Sequence, residues 1–157
     1  MKRFLFVLIP IFALIISACS PAVSPTPSAT PNLPAPVSVA ETSGLERSDQ
    51  QGAVTVTVLP TNLDDPGKTI DFDISLQTHS VELDMDLTKL ATLKTDTGQT
   101  VQATTYSGGS GGHHVKGVLS FPAEVDGKPI MEGAKTVTLT IQNVDAPERI
   151  FEWQITP

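Results

Sequence analysis

From Gly52 onward the apolar residues of this chain recur at every second position, and that period limits the possible folds more than any other feature. Val54, Val56 and Val58 alternate with Thr55 and Thr57 and stop at Pro60. Ile70, Phe72, Ile74 and Leu76 alternate with Asp71, Asp73, Ser75 and Gln77. Val81, Leu83, Met85 and Leu87 alternate with Glu82, Asp84 and Asp86. Successive side chains of a strand point to opposite faces, so each run predicts a strand with one apolar side. Asp64-Asp65-Pro66-Gly67 is a turn between the first two. Leu90 to Thr95 and Thr100 to Tyr106 flank Asp96-Thr97-Gly98 as a hairpin. Val115 to Phe121 stops at Pro122. Val137, Leu139 and Ile141 form the next run, and Phe151, Trp153 and Ile155 follow an Asp145-Ala-Pro-Glu turn.

One-sided strands bury their apolar faces by stacking sheet on sheet. Seven or eight such strands therefore predict an all-β fold, an antiparallel β-sandwich of immunoglobulin-like type, over residues 51–157. The likeness is architectural, because the cysteine pair of antibody domains is missing. Trp153 reads as a core aromatic. The carboxylates of Asp71, Asp73, Glu82, Asp84 and Asp86 fall on outward faces and read as a solvated surface that resists edge aggregation. They lack the Asp-x-Asp-x-Asp-Gly loop of a calcium site.

The start of the chain follows different rules. Met1-Lys2-Arg3 is a short positive segment, and Phe4 to Ile16 is an almost wholly apolar run of 13 residues. Crossing the hydrocarbon as a helix takes ~20 residues, so residues 1–18 read as a cleavable export signal. Cys19 is the single cysteine, which excludes an internal disulfide. Ile16-Ser17-Ala18-Cys19 resembles the lipobox of bacterial lipoproteins. That resemblance implies that Cys19 becomes the mature N-terminus and carries a palmitate-type diacyl anchor on its sulfur, holding the protein to the membrane. Ser20 stands where an Asp often marks inner-membrane retention. The expected location is thus the cell membrane or the outer membrane, facing the periplasm or the exterior.

Residues 19–50 read as a tether. Ser20 to Pro36 holds six prolines in 17 residues, which denies helix and ladder and favours an extended chain. At polyproline spacing this stretch spans ~50 Å. The chain carries 10 Lys+Arg against 17 Asp+Glu, and without Lys2 and Arg3 the balance is 8 against 17, or −9. So acidic a product does not suit nucleic acid, whose phosphates call for a basic face.

Two matches to catalytic patterns read better as turns. Asp96-Thr97-Gly98 is the aspartic-protease triplet, but that chemistry needs two aspartates sharing a proton and one copy is present. Gly108-Gly109-Ser110-Gly111-Gly112 fits Gly-x-Ser-x-Gly without the strand, helix and α/β sheet of a nucleophile elbow. Neither supports an enzyme. The histidines His79, His113 and His114 are the stronger signal, since two strand ends bring them to one edge of a sandwich and neutral imidazole suits zinc or copper. Glu82, Asp84 or Met85 is then the expected supplement to their shell. Adjacent His113 and His114 point apart in a regular strand, so joint ligation requires irregular backbone, which the preceding glycines permit.

Thr78-His79-Ser80-Val81-Glu82-Leu83 together with Gly111-Gly112-His113-His114-Val115-Lys116-Gly117-Val118-Leu119 is similar to a recurring signature of uncharacterised exported prokaryotic β-domains. The similarity implies that the two histidine segments share a site and implies no activity. The expectation is a lipid-anchored, non-catalytic binding or interaction domain, with an extracytoplasmic copper- or zinc-binding domain as the alternative.

Overall fold

The computed structural model describes residues 44–155. The export signal, Cys19 and the Pro-rich segment lie outside the described residues. Two antiparallel sheets form the domain, and four of the long strands alternate buried and open positions as the sequence period requires, while the strand over His114–Pro122 breaks the pattern at Gly117. The first sheet has five strands in the order β1-β2-β3-β7-β6: β1 Arg47–Asp49, β2 Val54–Pro60, β3 Thr69–Thr78, β7 His114–Pro122 and β6 Thr105–Tyr106. The second has four in the order β11-β10-β4-β5: β11 Glu148–Gln154, β10 Thr136–Gln142, β4 Ala91–Thr95 and β5 Thr100–Gln102. A small hairpin, β8 Glu124–Val125 with β9 Lys128–Pro129, makes a third sheet.

The sandwich core is the meeting of the two inner faces. Phe72 on β3 stands edge-on to Phe121 on β7, with ring centroids 5.7 Å apart, and 5.3 Å from Trp153 of the opposite sheet. Val56, Ile74, Leu93, Leu119, Leu139 and Phe151 complete this fully buried layer. Trp153 is a core aromatic, as its place on the last apolar run predicts.

Three local departures have physical causes. First, Val81 to Leu87 is not a strand. The Thr78 hydroxyl accepts the N–H groups of Ser80 and Val81 and turns the chain out of β3. The chain must then cross from the first sheet to the second, and Asp86 caps a four-residue helix, α1 Leu87–Leu90, by accepting the Thr88 N–H at 3.1 Å. Leu83 and Leu87 are buried during the crossing, so the apolar alternation survives without a ladder.

Second, Thr100 to Tyr106 divides. β5 pairs with β4 in one sheet and β6 with β7 in the other; Ala103 N–H donates to Ala91 and Thr104 N–H to Ser120, so the ladder changes partner within one residue. Third, the sheet begins before residue 51. β1 pairs with β2, and the carbonyl of Leu45 accepts the Trp153 indole N–H, so the folded part reaches back into the segment read as tether.

Candidate functional site

The two histidine segments do meet. Antiparallel pairing of β3 with β7 sets Gln77 opposite His114, and the Thr78 N–H donates to the His113 carbonyl at 2.9 Å. The ladder therefore continues through His113, and strand alternation decides which side each imidazole takes. His79 and His114 share the outward face as diagonal neighbours, with ring centroids 6.3 Å apart and planes at 84°. His113 precedes β7, with its carbonyl bonded to the buried Thr78, and all three rings are exposed. The structure thus brings together two of the three histidines. The backbone is irregular just before the pair, at Gly111 and Gly112, with φ of 90° and 88°.

The loop before the pair is held from the crossing segment. Gly111 N–H donates to the Leu83 carbonyl at 2.7 Å, Leu83 N–H to the Gly112 carbonyl at 3.3 Å, and Gly112 N–H to Glu82 Oε1 at 2.7 Å. These bonds draw the loop onto Leu83 and fix the start of β7. Glu82 is therefore engaged as a loop clamp. Met85 is partly buried and packs against the hydrophobic core, and Asp84 is exposed. Among the described residues no group of three or more His, Cys, Asp or Glu side chains is placed to hold a metal ion.

The same outer face carries a second feature that the periodicity did not single out. A shallow groove of about 440 Å³ runs over β2, β3 and β7, with Lys116 among Glu46, Asp73, Thr57 and Ser75. Lys116 is two residues from His114, on the same face and opposite Ser75. The groove is of mixed character, since Leu59, Ile74 and Val118 line it beside the cation, carboxylate and hydroxyl groups.

The two catalytic look-alikes are accounted for locally. Asp96 N–H donates to the Thr136 carbonyl, and Asp96 Oδ1 accepts the Lys135 N–H at 3.0 Å. The backbone N–H of Lys135 holds the Asp96 carboxyl below the usual carboxylate range. Ser110 sits in the loop between β6 and β7 of one antiparallel sheet, with a strand rather than a helix after it.

A buried ion pair also escaped the sequence reading. Arg149 on β11 is 0% exposed and Asp49 on β1 is 4% exposed, and Arg149 Nη1 donates to Asp49 Oδ1 at 2.5 Å. The remaining donors go to the carbonyls of Val144, Gln51 and Asp49, so the whole guanidinium is satisfied. Burial pushes its pKa down, and Asp49 and Asp145 oppose that shift. One hundred residues separate the partners, and no local motif signals them.

No family model matches the sequence. No curated protein matches it either. Among solved structures, a DUF4426 family protein from Pseudomonas aeruginosa PAO1 is 12% identical, covering 71% of this chain and 95% of its own, with a TM-score of 0.42. A likeness of that size carries no argument about the site.

Proposed function

We propose that this chain is a membrane-anchored extracytoplasmic lipoprotein whose β-sandwich is a non-catalytic binding or interaction domain. The observation that carries the reading is the order of segments: a short apolar leader ending in Ile16-Ser17-Ala18-Cys19, a proline-rich stretch, then a sandwich domain. Acyl chains on Cys19 supply the anchor, because each buried CH₂ contributes ~0.8 kcal/mol and two chains hold stably. The acidic balance supplies no attraction to anionic headgroups, so the lipid carries the attachment. The domain offers its partner a rigid outer face with the Lys116 groove and the His79–His114 pair.

Fractionation tests the anchor. Wild-type protein sediments with membranes, and Cys19→Ser is released to the soluble fraction. Unchanged sedimentation of Cys19→Ser would sink the reading.

A second reading is supported by one specific observation, the 6.3 Å separation of the His79 and His114 rings. Two imidazoles on one face suit Cu²⁺ or Zn²⁺, with water or a partner completing the shell. This version does not require His113. Calorimetric titration with each ion should show binding that His114→Ala abolishes and His113→Ala leaves intact. Absence of heat with both ions would end it.

A further inference from the structure

The geometry points to the outer edge of β11 as a strand-addition site for an extended, basic peptide segment of a partner protein. This deepens the reading of the domain as a binding module and rests on it. The other sheet edges are short: β1 and β5 have three residues and β6 has two, whereas β11 has seven in unbroken register with β10. Short edges are a usual protection against unwanted pairing, and a long regular one is a template.

The direction of its backbone groups follows from the register. Ile155 N–H donates to the Lys135 carbonyl, and Asn143 N–H to the Pro147 carbonyl. In an antiparallel ladder the hydrogen-bonded pairs recur at every second residue, so Arg149, Phe151 and Trp153 face β10. Ile150 and Glu152 then turn their N–H and C=O groups outward, and no backbone partner meets them among the described residues. Of the flanking groups, the Glu148 carbonyl is occupied among the described residues, by the Gln51 side chain at 3.3 Å.

Side chains on this edge select the occupant. Ile150 is 51% exposed and is flanked two residues away on each side by exposed Glu148 and Glu152. Directly opposed cross-strand pairs favour apolar against apolar and opposite charge against charge. The matching strand has an aliphatic residue with Lys or Arg two positions to each side, a pattern that reads the same in either chain direction. A second copy of this chain is a poorer match, since it brings its own Glu148 and Glu152 to the same edge.

The test uses the purified full chain and the synthetic peptide acetyl-Thr-Lys-Thr-Val-Thr-Lys-Thr-amide, followed by hydrogen exchange. The peptide is expected to slow exchange at the Ile150 and Glu152 amides. Ile150→Pro removes an N–H that β10 does not use, which edge strands tolerate. Glu148→Lys/Glu152→Lys changes only exposed positions. Each variant should weaken peptide binding about tenfold or more. Three results would overturn the assignment: protection elsewhere, equal binding of a peptide with Glu in place of Lys, or peptide-independent protection of these amides that grows with protein concentration, which marks self-pairing. None of them bears on membrane release of Cys19→Ser, so the anchor and the edge fail separately.

Discussion

Removing the carboxylate of Asp49 leaves the Arg149 guanidinium buried beside β1 without its hydrogen-bonded partner charge, and that is where single substitutions should hurt most. Breaking a buried pair from one side costs about 3–5 kcal/mol, whereas replacing both partners by apolar groups costs far less. Asp49→Ala should therefore lose about 3–5 kcal/mol in urea unfolding, with Asp49→Ala/Arg149→Met recovering part of it; a loss under about 1 kcal/mol contradicts the clasp. Asp96 makes a pH-dependent contribution. Its folded pKa lies below the ordinary 3.8, so its stabilisation is present above that value and is lost as pH falls through the lower, folded pKa. The thermal midpoints of wild type and Asp96→Asn should converge as pH drops below 3.8. Parallel curves would show that the Lys135 contact does not act through the charge. Neither residue's role is visible in sequence. Asp96 reads only as a hairpin residue, and Arg149 as a lone cation in phase with the apolar Phe151 and Trp153, with nothing local to name its partner.

At the scale of elements, the sequence period identifies which side of each segment is buried more reliably than what each segment pairs with. Val81 to Leu87 shows why. Its apolar side is buried as expected, but the Thr78 and Asp86 side chains turn it into a crossing between sheets. Thr100 to Tyr106 likewise keeps its alternation while changing sheets at Ala103 and Thr104. Alternation reports burial, and burial is shared by strands and by extended crossings. The β8–β9 hairpin had a readable signal, since Asp126-Gly127 has the positive φ pair, 52° and 73°, of a tight turn. Packing of the Gly-rich loop against β7 gives the prediction for this scale. A Cβ on Gly117 would collide with the backbone N and Cα of Gly108, so Gly117→Ala forces the loop off the strand. The expected cost is about 1–3 kcal/mol in denaturant unfolding, with faster amide exchange from Ser107 onward. A variant as stable as wild type would mean that the loop moves aside freely.

For the whole molecule, two sheets pack around an aromatic centre of Phe72, Phe121, Phe151 and Trp153, and the segment from Leu45 through β1 is tied to β11 by the Trp153–Leu45 bond and the Arg149–Asp49 pair. The sandwich was legible from alternation because it needs no long-range information. The place of β1 was not, because Arg47-Ser-Asp49 has no apolar period and joins the sheet through backbone pairing and one buried ion pair. Of the histidine site, the meeting of its two segments was legible from their positions at strand ends, and the face each ring takes was set only by the register of Gln77 with His114. In the proposed function Cys19 joins this domain to a lipid. Mass spectrometry of the N-terminal peptide, from protein extracted out of membranes, addresses that link most directly. The prediction is a chain beginning at Cys19 with a diacylglyceryl group on its sulfur. An unmodified Cys19 still joined to Ala18 would contradict it.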